Sequence, residues 1–100
     1  MEKKSQELQL AIWILARKRF EKLFSEAIGR YNLKNPWDTY SGQVDQFRWA
    51  ADGQIYHWSE FELYYRDAAL HEWLQCTKLV SDDGSFIVPM HLITEVEQDL

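Results

Sequence analysis

The sequence predicts an α+β fold in which helices cover an antiparallel sheet, and three observations predict it. An apolar stripe of helical period opens the chain, two Asp-Gly turns each join a pair of short β-prone segments, and a second stripe of helical period separates the two turns. The order is therefore helix, hairpin, helix, hairpin and a short C-terminal segment. With 100 residues, the chain is expected to form a single domain over residues 1–100.

The first element is predicted to be one long helix over residues 5–31. Its apolar residues recur every three or four positions and form one stripe: Ile12, Trp13, Ala16, Phe20, Leu23, Phe24, Ala27 and Tyr31. Gly29, Asn32 and the Asn35-Pro36 pair mark its end. Residues 35–42 are then predicted to be a loop.

The first hairpin is predicted from Asp52-Gly53, a dipeptide that accepts the positive φ angles of a two-residue type I′ turn. Such a turn places four aromatic rings on one face of the hairpin: Phe47, Trp49, Tyr56 and Trp58. The other face then carries Arg48, Ala50, Ile55 and His57.

The remaining elements follow from a cap, a turn and a proline. Ser59 and Glu62 fit a capping box, which predicts a second helix over residues 60–77. Asp83-Gly84 is expected to join residues 77–81 to residues 85–88 as a shorter hairpin. After Pro89, apolar spacing favours a short helix over residues 90–100.

Both predicted helices carry more apolar surface than one stripe, which a surface helix of a small monomer does not need. In the first helix, Leu8, Leu10, Ile14 and Leu15 fall outside the stripe. In the second helix, one face carries Phe61, Tyr64, Tyr65, Ala68 and Ala69, and the opposite side carries Leu63, Leu70 and Leu74.

We expect this surplus to be covered by a second copy of the chain or by a partner. Monomers rarely expose large apolar patches, so the chain is predicted to be a homodimer. Its self-association surface is predicted to be Leu8, Leu10, Ile14 and Leu15. The alternative is that the C-terminal segment and the loop at Trp37 cover the surplus within one copy.

The charge of the chain is divided by position. Residues 1–51 hold nine Lys/Arg against six Asp/Glu, a net of +3, whereas residues 52–100 hold two against ten, a net of −8. Such an acidic region attracts basic protein surfaces. We therefore predict an adaptor, regulator or inhibitor that acts by protein–protein interaction. Its partner-binding residues are predicted to be Glu60, Glu62, Asp67, Glu72, Asp82 and Asp83, with Trp58, Tyr64, Tyr65 and Trp73 as aromatic anchors.

Motifs for other functions are missing from the sequence. It holds no catalytic, cofactor-binding or metal-ligating signature, and Cys76 lies at the end of the second predicted helix, where the carbonyl-rich terminus raises a thiol pKa. One alternative is a small enzyme in which His57 and His71 meet Glu60 or Asp67 in the fold. The other is a winged-helix-like protein over residues 60–88, although the acids of that helix argue against direct nucleic-acid binding.

The expected location is the cytoplasm. Cys76 is the single cysteine, which gives no disulfide framework. The longest apolar run covers residues 10–16, whereas a membrane span needs about 20 residues.

Overall fold

The computed structural model describes the backbone of residues 2–38 and 44–99, and the side chains of residues 6–38 and 44–99. The helices and strands confirm the predicted α+β fold and its order of elements: α1 (Glu2–Lys34), β1 (Phe47–Trp49), β2 (Ile55–His57), α2 (Trp58–Tyr65), α3 (Ala69–Leu74), β3 (Thr77–Lys78) and α4 (Met90–Asp99). The strands form one antiparallel sheet in the order β2-β1-β3.

The hydrophobic core lies where α1, the sheet and α4 meet. Its buried residues are Ala16, Phe20, Ala27, Phe47, Trp49, Ile55, Leu79, Leu92 and Val96. The predicted stripe of α1 supplies the first three, and its partly buried residues Ile12, Leu23 and Phe24 pack around them. The second half of α1 is therefore the helix against which the rest of the chain folds.

α1 continues beyond the predicted end at residue 31. Gly29 lies inside the helix, and the last turn closes when the Asn35 N–H donates to the Tyr31 carbonyl (2.9 Å). Pro36 follows, and a proline at this position prevents further helix. Of the predicted loop, residues 35–38 form a turn, and residues 39–42 lie outside the described part of the chain.

The first hairpin pairs one residue away from the predicted register. The observed pairs are Phe47–His57, Arg48–Tyr56 and Trp49–Ile55. A shift of one residue exchanges the two faces of a strand, so the predicted face of four aromatic rings is wrong. The buried face is Phe47, Trp49, Ile55 and His57, and Tyr56 and Trp58 are half-buried outside it.

The shift arises from the length of the loop. Residues 51–53 form a three-residue loop, in which the Gly53 N–H donates to the Ala50 carbonyl (3.1 Å) and the Ala50 N–H donates to the Gln54 carbonyl (2.8 Å). Gly53 has a φ of 84°, as the third residue of such a loop requires. The Asp52 carboxylate accepts from the Gln54 N–H (2.9 Å) and so holds the turn.

The second Asp-Gly turn has the same construction. The Ser81 N–H donates to the Ser85 carbonyl (2.9 Å), the Gly84 N–H donates to the Ser81 carbonyl (3.0 Å), and Gly84 has a φ of 86°. The Asp83 carboxylate accepts from the Ser81 hydroxyl and from the Ser85 N–H, and these two bonds lower the pKa of Asp83 to about 2.

The segments that flank the second turn are less regular than predicted. β3 pairs with β1, placing Arg48 beside Lys78 and Trp49 beside Thr77. Beyond β3, the hairpin closes through a single bridge between Val80 and Phe86. α4 confirms the predicted C-terminal helix up to Asp99.

α2 begins at Trp58 and is capped by His57, not by the predicted Ser59. The His57 Nδ1 accepts from the Ser59 N–H (3.0 Å), and the Glu60 carboxylate accepts from the His57 N–H (3.0 Å). Because Nδ1 accepts, the neutral ring carries its proton on Nε2, which bonds to the Gln46 side-chain oxygen (3.0 Å). Burial lowers the pKa of His57, which favours this neutral form.

The predicted helix over residues 60–77 is broken at Arg66. This residue has a φ of 53°, the one positive φ among the non-glycine residues that the structure describes. In an unbroken helix Phe61 and Trp73 would lie about 18 Å apart, whereas their ring centroids are 5.1 Å apart. The break and a 3₁₀ turn over Arg66–Ala68 fold α3 back against α2.

Candidate protein-binding surfaces

The first ten residues of α1 whose side chains are described form its more exposed end, in which Ile12 and Leu15 pack against the core. We call residues 6–15 the arm. The molecule is 52 Å long and 27 Å wide, and α1 with its 33 residues spans the long dimension. Leu8, Leu10, Trp13 and Ile14 are about half or more exposed, with Leu10 at 63%. Of the predicted self-association residues, Leu15 alone packs against the core.

The second exposed apolar surface lies on α2 and α3. We call the exposed residues between positions 62 and 74 the α2–α3 surface. Leu63 is 73% exposed and Tyr64 is 80% exposed, and Leu70 and Leu74 are also exposed. Among the described residues, Glu62 and Asp67 form no ion pair. Unpaired acids and large apolar side chains therefore share this segment.

An open groove borders the α2–α3 surface. We call it the tyrosine groove. Its volume is about 680 Å³, within the range of ligand sites. Its walls come from the end of α1, from the first hairpin and from α2: Lys34, Ala50, Ala51, Asp52, Tyr56, Glu60, Phe61, Leu63, Tyr64 and Tyr65. The Tyr56 hydroxyl donates to the Asp52 carboxylate (2.6 Å), which raises the pKa of Tyr56 to about 12.

Other predicted partner-binding acids are placed differently. The Glu60 side chain is 10% exposed and pairs with Arg30 (3.3 Å) and Lys34 (3.6 Å). Glu72 is half-buried, and Asp82 and Asp83 are exposed in the second turn. The fold thus uses Glu60 internally and leaves the other acids at or near the surface.

The predicted aromatic anchors also divide. Trp73 is buried and packs edge-to-face against Trp58 and Phe61. The Arg48 guanidinium lies 5.1 Å from the Trp73 ring and donates to the Trp73 carbonyl (3.0 Å). Trp73 therefore offers a partner little surface, Tyr64 offers most, and Trp58 and Tyr65 offer part of theirs.

The residues named for an enzyme are spread over separate environments. His57 is buried and both of its ring nitrogens are hydrogen-bonded, whereas His71 is exposed on α3 and contacts Gln75 (2.7 Å). Burial raises the pKa of the Cys76 thiol, which disfavours the nucleophilic thiolate. In the described part of the chain, no group of three His, Cys, Asp or Glu side chains is arranged to hold a metal ion.

Sequence reasoning missed two features of these surfaces. It assigned Trp13 to the core, although this residue is 53% exposed. It also missed the groove, because the approach of Ala50 and Ala51 to α2 depends on the loop length and on the break at Arg66.

Trp37 is 80% exposed, so it does not cover the surplus apolar residues.

Comparison of the chain with models of known protein families, with curated proteins and with solved structures finds no match in any of the three. Over the described residues, no helix has both the length and the apolar character that crossing a membrane requires.

Proposed function

We propose that this protein acts by binding another protein whose contact surface is basic. The observation that carries the proposal is the combination of exposed Leu63 and Tyr64 with Glu62 and Asp67, which form no ion pair with any described residue, on one short segment. Apolar and aromatic contacts supply most of the affinity of protein interfaces, and charge complementarity supplies orientation and rate of association. A merely solvated surface needs the acids but not the exposed apolar residues.

The tyrosine groove gives this surface a concave part. Its phenol and leucine side chains suit an apolar side chain of a partner, while Glu62 and Asp67 suit lysine or arginine residues that flank it. Arg30 shows the same chemistry within the molecule, a cation held by an aromatic ring and a carboxylate. Its guanidinium lies 5.1 Å from the centre of the Tyr56 ring and donates to the Glu60 carboxylate. A regulator or inhibitor of a basic protein is the activity that this chemistry supports.

The test is quantitative capture of a basic partner by the immobilised protein at rising salt concentration. The variant Glu62→Lys/Asp67→Lys should lose capture, and Leu63→Ser/Tyr64→Ser should lose it as well. The matched control, Asp45→Lys/Glu97→Lys, makes the same change of net charge at exposed positions on other elements and should retain capture. If all charge variants lose capture equally, the attraction is nonspecific and the proposal fails.

We further propose that the protein is a homodimer, formed through the arm. Leu10 and Ile14 are exposed on the arm at neighbouring helical positions, and burial of such residues drives association. Light scattering after gel filtration should give twice the mass of one chain. Leu10→Asp/Ile14→Asp should give a monomer, whereas the control Ser25→Asp/Leu33→Asp, at exposed positions of the same helix beyond the arm, should stay dimeric. A monomeric wild type would contradict this proposal.

The proposed location is the cytoplasm. Cys76 is a half-buried free thiol bonded to the Glu72 carbonyl (3.4 Å), and a reducing compartment keeps such a thiol free.

A further inference from the structure

An exposed stripe on the outer side of α1 has the spacing of a coiled-coil seam. Its residues follow one another at intervals of three and four positions: Glu7, Leu10, Ile14, Arg17 and Glu21. The stripe lies about 130° around the helix from the buried stripe. A second helix can therefore lie along it without displacing the core.

We infer that two copies pair along this stripe as antiparallel helices, with the two-fold axis crossing the stripe at the height of Ile12, whose own side chain is on the core side of the helix. The inference rests on the proposed self-association and adds its geometry. Positions equally far before and after Ile12 lie opposite each other in such a pair. Leu10 of one copy is then opposite Ile14 of the other, and Glu7 is opposite Arg17, each contact occurring twice. The stripe is complementary to itself in this direction, in both apolar and charged positions.

Other arrangements of the same helix place unlike or repelling groups together. A parallel pair sets Glu7 against Glu7 and Arg17 against Arg17, which is unfavourable. The neighbouring stripe, which contains Leu8 and Leu15, would set Leu8 opposite Lys18 in an antiparallel pair, and Leu15 already packs against the core. Charge and burial therefore select one stripe and one direction.

The extent of the contact is adequate for a specific dimer. The antiparallel pair overlaps residues 2–22 of each copy, a length of about 30 Å. An interface of this length reaches about 1,000 Å², the lower end for a specific interface. The two copies of Trp13 lie next to the two-fold axis at flanking positions of the seam, where each gains cover for its exposed ring.

The pairing is tested by disulfide formation between two single-cysteine variants. Leu10→Cys and Ile14→Cys, each combined with Cys76→Ala, are mixed and oxidised, and the products are identified by mass spectrometry. The antiparallel pair predicts the mixed 10–14 disulfide. The antiparallel pair disfavours the 10–10 disulfide. The two Cα atoms at position 10 are then offset by about 6 Å along the helix axis, on helices whose axes are about 8–10 Å apart. This separation is beyond the reach of a disulfide.

The other outcomes distinguish failure of the antiparallel pairing from failure of the proposed self-association. If the wild type is a dimer but the variants give mainly 10–10 and 14–14 disulfides, or no disulfide, the antiparallel pairing is overturned and self-association stands. If the wild type is a monomer, both are overturned. Small-angle scattering gives an independent reading, because the antiparallel dimer is about 66 Å long along its helices and a parallel one keeps the 52 Å of a single copy.

A charge exchange tests the pairing of Glu7 with Arg17. Glu7→Arg places two cationic side chains opposite each other and should raise the dimer dissociation constant about tenfold. Adding Arg17→Glu should restore most of the affinity, because the change re-forms the pair between copies but removes the Arg17–Glu21 ion pair (3.5 Å) within each copy. Glu26→Arg changes the net charge equally at an exposed position outside the overlap and should have no effect. If the double variant dissociates more readily than Glu7→Arg alone, the assigned pairing is wrong.

Discussion

Three glycines in the described part of the chain offer a controlled test of how the first hairpin loop is held. Gly53 and Gly84 occupy equivalent loop positions with φ of 84° and 86°, whereas Gly29 is helical and exposed. A Cβ on Gly53 would lie 3.1 Å from the Nε2 of His91. A Cβ on Gly84 or Gly29 would have no described heavy atom within 4 Å beyond the adjacent residues and, for Gly29, the backbone of its own helix.

These positions predict three different effects on the free energy of unfolding. Gly84→Ala incurs about 1–2 kcal/mol for the left-handed backbone, offset by about 0.4–1 kcal/mol because alanine restricts the unfolded chain. The net loss is about 1 kcal/mol. Gly53→Ala incurs the same loss and also displaces the His91 ring from its edge-on contact with Trp49, which adds about 0.5–1.5 kcal/mol. Gly29→Ala should instead stabilise by about 0.5–1 kcal/mol.

Urea denaturation followed by tryptophan fluorescence measures all three variants on one scale. In the His91→Ala background, Gly53→Ala should cost no more than Gly84→Ala, because the crowding ring is gone. The reasoning would be refuted if Gly84→Ala destabilised the protein as much as Gly53→Ala in the wild-type background. That result would mean that the contact between His91 and the loop has no energetic weight.

Two further predictions concern the start of α2. Burial lowers the pKa of His57, so the unfolded chain takes up the proton first as the pH falls below 6.5, and the free energy of unfolding should fall with the pH. His57→Asn retains a capping acceptor and should reduce the slope of the free energy of unfolding against pH. An unchanged slope in pH-dependent denaturation would contradict the assignment of this slope to His57. Glu60→Gln should lower the free energy of unfolding by about 1–2 kcal/mol in urea denaturation, since the Glu60 carboxylate accepts from the His57 N–H and pairs with Arg30 and Lys34. The exposed control Glu62→Gln should change it by less than about 0.5 kcal/mol. Equal losses in the two variants would contradict the capping role of Glu60.

The order of elements was predictable because it depends on local signals. Helical periodicity, two Asp-Gly turns and Pro89 each act within a few residues. The register of the hairpin was not predictable in this way, since Asp-Gly serves both two-residue and three-residue loops. Because the loop has one residue more than a two-residue turn, Ile55 and His57 of β2 lie on the buried face, where Tyr56 was predicted.

The break at Arg66 was beyond sequence reasoning for a different physical reason. No glycine or proline marks it, and residues 60–77 have an uninterrupted helical pattern. The break depends on tertiary packing, because contact of Trp73 with Phe61 and Trp58 outweighs about 1–3 kcal/mol for the unusual backbone angles. The same packing buried Trp73, which the sequence had presented as an anchor for a partner.

The division of charge along the chain serves the fold before it serves any partner. Arg19 of α1 pairs with Glu95 and Asp99 of α4, and Arg30 pairs with Glu60 of α2. Part of the charge asymmetry thus serves to attract the acidic α2 and α4 to the basic first helix, on which they pack.

Acids bonded in this way are satisfied within the molecule and have less to gain from a partner, because binding would have to displace an existing ion pair. Glu62 and Asp67 are in the opposite position: they are exposed, they form no ion pair among the described residues, and they flank Leu63 and Tyr64 on the same short segment. A charge reversal at Glu60 would therefore report on folding, whereas a reversal at Glu62 or Asp67 reports on binding. The separation of these two roles makes the acidic surface testable without unfolding the protein.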